Sequence, residues 1–209
     1  MKILVADDHA VVRKGLVQII RQTPDLEVTA EADSGEEVLD LVRSNSFDII
    51  VLDLNMPGMS GFQVIEQIKV SKPDLPILVL SMHSEEQYGV RVLRAGASGY
   101  IAKGVEPEKM IEAIRRVASG RRYISSNLAE RLLDVLDDPT DGPPHGRLSS
   151  REFEVMRYLV EGVSVTEIGN KLHISVKTVS TYRTRILEKM DMSSNAELVQ
   201  YAVRNGLVE

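Results

Sequence analysis

The stretch Ile49-Ile50-Val51-Leu52-Asp53-Leu54-Asn55-Met56-Pro57-Gly58-Met59-Ser60-Gly61 decides the fold. Its first four residues form a continuous apolar run, the pattern of a strand buried on both faces rather than on one. The run ends on a carboxylate, Asp53. Ser60, with Gln63 three residues on, then forms a capping box that opens a helix. A doubly buried strand followed at once by a helix is the repeating unit of a parallel sheet covered on both sides.

The same alternation extends in both directions. Ile3-Leu4-Val5-Ala6 and Ile77-Leu78-Val79-Leu80 are equally apolar, and the weaker runs Val28-Thr29-Ala30 and Gly99-Tyr100-Ile101-Ala102 bring the expected strands to five. Val11, Val12, Leu16, Ile19 and Ile20 recur at helical spacing between the first two strands. Further capping boxes stand at Ser34/Glu37 and Ser84/Gln87. The expected fold is α/β, a doubly wound five-stranded parallel sheet over residues 1–120, closing with a helix from Pro107 to Ala118.

Beyond it, residues 121–146 read as a linker. A short helix is expected from Ser125 to Leu136, with Leu128, Leu132, Leu133 and Leu136 as its apolar face. Residues 137–146 hold three prolines, two glycines and three aspartates in ten positions, a composition that favours a mobile connection. From 147 to 209 the pattern is all helical. Capping boxes at Ser149/Glu152, Ser164/Glu167 and Ser194/Glu197 help to mark four helices near 150–161, 165–172, 176–190 and 195–205. The turn His173-Ile174-Ser175 is short enough for a helix-turn-helix. This second unit is small and all-α.

Composition excludes several functions. The 209 residues contain no cysteine, which removes disulfide scaffolds, thiolate metal sites and cysteine nucleophiles. No apolar stretch is long enough to span a bilayer, and the N-terminus lacks a secretory pattern, so a cytoplasmic protein without membrane partners is expected. Net charge is −6, unevenly spread: residues 1–146 carry 16 basic against 23 acidic groups, and residues 147–209 carry 9 against 8. An acidic front and a near-neutral back suggest two functional units.

In open parallel sheets, functional groups gather at the carboxyl ends of the strands. Asp7 and Asp8 follow the first strand, Asp53 ends the third, Ser81 follows the fourth and Lys103 the fifth. Any one of these has an ordinary explanation as a helix cap or a loop residue. Their joint placement on one sheet edge does not. Clustered carboxylates repel unless a cation sits among them, and Mg2+ suits an oxygen-only set that leaves water for a phosphate to displace. Lys103 and Ser81 would add positive charge and a hydroxyl for a phosphoryl group attacked in line by Asp53.

In the back unit, Val179, Ile186 and Met190 recur at core spacing within Val176–Met190 and turn Ser180, Thr181 and Thr184 outward. Lys177, Arg183, Arg185 and Lys189 lie among them. A helix showing small polar and basic side chains suits the major groove, with the basic groups on phosphates.

Residues 1–120 resemble the response-regulator receiver family through Asp7-Asp8, Leu52 to Gly61, Leu80-Ser81 and Gly99-Tyr100-Ile101-Ala102-Lys103. The fold so implied is flavodoxin-like. The set Leu148 to Glu152, Ile168-Gly169, Ile174 to Val179, Ile186 and Lys189-Met190 resembles the LuxR-type helix-turn-helix. Together they resemble the NarL/FixJ class of two-component response regulators, nearest its GacA- and BvgA-like members. The resemblance implies that Asp53 accepts phosphate from a sensor histidine kinase. It places Mg2+ on Asp8, Asp53 and the Asn55 carbonyl, with Asp7 acting through water and Ser81 and Lys103 on the phosphoryl group. Tyr100 would be the aromatic that turns inward when Ser81 moves; otherwise it is a strand residue with its hydroxyl at the surface. Ser180, Thr181 and Thr184 would approach bases, and Lys177, Tyr182, Arg183 and Arg185 mostly the DNA backbone. The first and fifth receiver helices and the last helix are implied as homodimer surfaces, with promoter DNA and RNA polymerase as further partners. Catalysis would be limited to Mg2+-dependent self-phosphorylation and dephosphorylation. One departure is Gly104, where many receivers carry proline. Two other readings stay open, a Mg2+-dependent phosphatase with an Asp nucleophile and a pure interaction protein. Against the first, Asn55 stands where such enzymes place a second acid, and the front unit has no cap domain.

Overall fold

The computed structural model describes residues 1–82, 85–137 and 143–207; for 86, 87, 131 and 133–137 it describes the helix backbone only. The first unit alternates β1 (Lys2–Ala6), α1 (Ala10–Arg21), β2 (Glu27–Ala32), α2 (Gly35–Ser44), β3 (Ile49–Asp53), α3 (Gly61–Ser71), β4 (Ile77–Ser81), α4 (Glu85–Arg94), β5 (Gly99–Ala102) and α5 (Pro107–Ala118). All five strands are parallel, in the order β2-β1-β3-β4-β5. After it come α6 (Ser126–Asp137), a 3-10 turn at Pro144–Arg147, and the helices α7 (Ser150–Val160), α8 (Val165–Lys171), α9 (Val176–Met190) and α10 (Asn195–Arg204). The chain divides into two compact units, Met1–Leu132 and Leu133–Glu209. No described helix is long and apolar enough to cross a membrane.

The sheet follows from hydropathy. Every residue of β3 and β4 is buried, as strands covered by helices on both faces must be. The edge strand β2 buries only Ala32 fully. One layer of the core joins Ile3, Val5, Ile49, Val51, Leu78 and Leu80 to Leu16 and Ile20 of α1 and to Met110, Ile114 and Val117 of α5. On α1 the buried residues are Leu16, Val17 and Ile20, whereas Val11 is 85% exposed. Val12 beside it packs against the core, so Val11 lies on the outward face of the first turn and its apolar character does not mark the core.

The helix starts are fixed largely by serine. Ser60, Ser149 and Ser164 head complete capping boxes, side chain to N3 amide and N3 side chain back to the cap amide. At Ser34 and Ser194 only half the box forms. Glu37 and Glu197 reach one residue further, to the amides of Asp33 and Ser193. The Ser84/Gln87 pair lies outside the described residues, as do the linker residues 138–142 and the side chains of Leu133 and Leu136.

The first unit continues past α5. Tyr123 runs parallel to β5, donating its amide to the Ser98 carbonyl and accepting from the Tyr100 amide, both at 3.1 Å. This short pairing covers part of the sheet edge that β5 would otherwise expose. The Ser125 amide then donates to Glu85 Oε1 on α4 at 3.1 Å. Leu128 is buried where Gly89 leaves room, since a Cβ at 89 would lie 2.7 Å from its Cδ2.

Gly61 is required by close approach. A Cβ there would stand 2.6 Å from Leu54 Cα and 3.0 Å from the carbonyl oxygen of Asp53, backbone atoms that cannot swing aside. Gly61→Ala should therefore destabilise the first unit by about 1–3 kcal/mol, the usual scale for overpacking. Thermal unfolding followed by circular dichroism should show its Tm lowered; an unchanged Tm would mean that the loop after β3 yields freely.

Candidate functional site

The register of the sheet assembles the site. Ala6 pairs with Leu52, Asp53 with Leu80, and Ser81 with Ala102, so the residues at and just beyond these strand ends share one edge. Asp7 and Asp53 are almost entirely removed from solvent, at 1% and 2% exposure, and Ser81 is fully buried. Lys103 Nζ bridges the two acids, 2.7 Å from Asp7 Oδ2 and 2.7 Å from Asp53 Oδ2. The other Asp53 oxygen accepts the Asn55 amide at 3.3 Å, and Asp7 Oδ1 accepts the His9 amide at 2.8 Å.

Lys103 is positioned by backbone. Its amide donates to the Ser81 carbonyl at 2.6 Å, and Gly104 follows with φ +92°. Proline is locked near φ −65° and cannot take that conformation, which accounts for glycine at this position.

Burial of Asp53 pushes its pKa up; the hydrogen bond and charge of Lys103 oppose that rise without overcoming it, and the neighbouring Asp7 adds to it. For Lys103 burial works against the ammonium, but hydrogen bonds and charge from Asp53 and Asp7 outweigh it and raise its pKa. One ammonium thus serves two buried carboxylates, with Asp8 close by. Asp8 Oδ1 is shut off from solvent and accepts no hydrogen bond among the described residues. Donor atoms of Asp7, Asp8, His9 and Asp53 all lie within 4.8 Å of one another. An oxygen-rich cluster with an unsatisfied buried acceptor fits a divalent cation. His9 is the member absent from the sequence reading; a histidine directly after paired acids was the available signal.

Tyr100 is buried and turned inward, not set with its hydroxyl at the surface. It hydrogen-bonds Ser81, and desolvation raises its pKa beyond the ordinary phenol value despite that bond.

The second site is α9. Ser175 caps it by accepting the Thr178 amide at 3.0 Å. The turn before it carries His173 at φ 51°, and Gly169 admits the Ile174 carbonyl, 2.8 Å from where a Cβ would stand. Val179, Ile186 and Met190 are buried as expected. Lys177, Ser180, Thr181, Thr184 and Arg185 form an exposed stripe, while Tyr182 and Arg183 are half-buried. The three hydroxyls donate to carbonyls of their own helix: Ser180 to Val176, Thr181 to Lys177 and Thr184 to Ser180. Arg183 Nε is held by Asn195 Oδ1 at 2.7 Å. Lys189, expected among the outward basic groups, instead pairs with buried Glu152 at 2.7 Å. Burial penalises the Glu152 charge, but Lys189 and the Ser149 cap outweigh it and hold its carboxyl below the usual range.

Comparison with known proteins agrees with this geometry. Residues 3–115 match the family model of the response regulator receiver domain, and residues 146–202 that of the bacterial regulatory proteins of the luxR family. The chain is 36% identical to response regulator UvrY of Escherichia coli K12 over 208 residues, 99% of this chain and 95% of the relative. It is 38% identical to response regulator GacA of Pseudomonas aeruginosa over 210 residues, covering 100% and 98%. Among solved structures it is similar to RcsB from Salmonella enterica serovar Typhimurium bound to a promoter in the presence of the phosphomimetic BeF3−. That match has a TM-score of 0.68 and 28% identity, over 96% of this chain and 97% of that one.

The raised Asp53 pKa has a stability consequence with a definite sign. A carboxyl harder to ionise in the folded than in the unfolded state costs stability as pH rises from its ordinary value, 3.8, through the folded one. In metal-free buffer, Asp53→Asn should therefore raise Tm near neutral pH, with the gain shrinking toward pH ~4. A gain independent of pH would assign it to packing rather than to the charge.

Proposed function

This chain belongs to the NarL/FixJ class of two-component response regulators, a receiver joined to a LuxR-type DNA-binding domain, and from that premise we propose that Asp53 is its phosphoacceptor. The observation that supports this most directly is Lys103 Nζ held 2.7 Å from Asp53 Oδ2 at the carboxyl edge of the sheet. The Asp53 carboxylate attacks the phosphoryl group of a kinase phosphohistidine, so that the P–N bond breaks as the new P–O bond forms. Lys103, fixed by its backbone, then meets the phosphoryl charge from one side. A Mg2+ ion, which Asp8, Asp53 and the Asn55 carbonyl would hold with Asp7 acting through water, supplies charge neutralisation to the transferred group when bound.

The switch we infer begins at Ser81. Its hydroxyl is engaged with Tyr100 in this structure, and a phosphoryl group on Asp53 competes for it. Phosphorylation replaces the carboxylate with a bulkier group of about −2 charge, which needs a two-state element to bias, and the Ser81–Tyr100 pair is that element. The output is promoter binding by a homodimer, with Ser180, Thr181 and Thr184 facing bases and Lys177, Tyr182, Arg183 and Arg185 toward the backbone. The groove lined by Ile19, Pro107, Ile111 and Arg115 on α1 and α5, and the exposed Val199 and Val203 of α10, are the dimer surfaces this reading uses. RNA polymerase is a further partner in this reading, and residues 1–120, 121–146 and 147–209 are the receiver, linker and DNA-binding segments.

Acetyl phosphate with Mg2+ should label the wild type and leave Asp53→Asn unlabelled; retained labelling would put the acceptor elsewhere. Beryllofluoride should increase dimerisation and promoter affinity, and an unchanged affinity would sink the switch.

For the DNA end, Lys177→Ala with Arg185→Ala is a cleaner pair than any that includes Arg183, whose loss also frees Asn195. Each phosphate contact removed should lower the slope of log affinity against log salt by about 1. A slope equal to that of wild type would remove these two side chains from the DNA backbone.

A further inference from the structure

His9 is the one residue of the acidic cluster that the proposed chemistry leaves without a part. Its backbone is the N-cap of α1, yet its side chain makes no capping hydrogen bond. The ring is 64% exposed and has water available to it. Nevertheless Nδ1 turns to the cluster, 2.6 Å from Asp8 Oδ1 and 3.5 Å from Asp7 Oδ1. The close approach to Asp8 falls outside hydrogen-bonding geometry, since Asp8 Oδ1 accepts no hydrogen bond among the described residues.

The donors stand close together, though not yet at the spacing of a bound ion. With bonds of about 2.1 Å, neighbouring ligands of an octahedral ion stand about 3 Å apart and opposite ligands about 4.2 Å apart. One donor from each of Asp7, Asp8, His9 and Asp53 falls within 4.8 Å of all the others. The donor chemistry is the informative part. Mg2+ prefers oxygen and surrenders its waters reluctantly, whereas imidazole nitrogen favours first-row transition ions, in rising order from Mn2+ to Ni2+. A fourth oxygen donor would leave the site with a weaker preference for the later ions; a nitrogen at the same place strengthens it.

We propose that His9 is a nitrogen ligand of this site for first-row transition ions, so that the receiver discriminates such ions from Mg2+ through a side chain outside the phosphoryl-transfer set. The inference rests on the acidic cluster being a divalent-cation site, and the test separates the two.

The probe is Mn2+ on the full-length protein without phosphodonor, read by electron paramagnetic resonance and displaced in competition by Ni2+ or Mg2+. In the wild type, electron spin echo modulation from nitrogen should appear on bound Mn2+, change on labelling with 15N-histidine, and vanish in His9→Gln. The concentration ratio at which Mg2+ and Ni2+ displace Mn2+ should fall about tenfold in His9→Gln, the scale on which ligand-set changes alter metal affinity. Bound Mn2+ without a histidine nitrogen signal, or a ratio unchanged by His9→Gln, overturns the role of His9 while leaving the site standing. Mn2+ that does not bind, or that binds equally to Asp53→Asn and wild type, overturns the cation site and the inference with it.

Discussion

Two carboxylates, Asp7 and Asp53, lie almost wholly out of water and share one ammonium, that of Lys103. The first unit is organised around that constraint. A buried carboxylate is costly unless a cation and hydrogen bonds compensate it. Here the compensation comes from the far side of the sheet, because β3 and β5 are separated by β4. Only a fixed register brings the three strand ends level, and only a backbone that turns at Gly104 points Lys103 inward. The residual acidity, with Asp8 added, is what makes the edge receptive to a cation. A pocket with charges fully balanced at rest would have no reason to bind one.

Much of this was legible in the sequence, for reasons tied to particular residues. Ile49 to Leu52 and Ile77 to Leu80 show no polar alternation, which only a doubly covered strand tolerates. Ser60/Gln63, Ser149/Glu152 and Ser164/Glu167 announce helix starts because both halves of the box lie three residues apart in sequence. Asp7, Asp53, Ser81 and Lys103 could be grouped because strand ends of a parallel sheet share an edge. What escaped depends on interactions with no local signature. The Lys189–Glu152 pair spans 37 residues, so Lys189 looked like one more outward charge. Tyr123 pairs with the sheet through too few residues to show strand periodicity. Val11 was apolar at helical spacing yet lies on the outward face of a turn whose Val12 packs on the core.

Helix α9 is less uniformly basic in what it presents than its composition suggests. Four basic residues on α9 suggested a uniform positive face. Two of them are committed elsewhere, Arg183 to Asn195 and Lys189 to Glu152, and these contacts brace α9 against α10 and α7. Lys177 and Arg185 remain exposed, as the proposed phosphate contacts require. Between them the Ser and Thr hydroxyl protons are engaged by the carbonyls four residues back, so these side chains present oxygen lone pairs outward. Under the proposed function, a base edge approaching that rotamer would meet an acceptor, which suits amino groups such as those of adenine and cytosine in the major groove.

Under the proposed chemistry, the route from Asp53 outward is short. Ser81 holds Tyr100 through its side chain, and Tyr100 holds Tyr123 through its backbone amide, so one strand residue belongs at once to the pocket and to the segment that follows α5. Glu85 adds a second tie, accepting the Ser125 amide from the first turn of α4, and Leu128 a third, seated over Gly89. These contacts are few and partly exposed, the kind that a change of a few kcal/mol can rearrange. The segment after α5 is therefore more than a spacer. It is the outermost part of the switch domain, and a displacement of Ser81 need alter only two side chains before it reaches backbone that leads directly into α6.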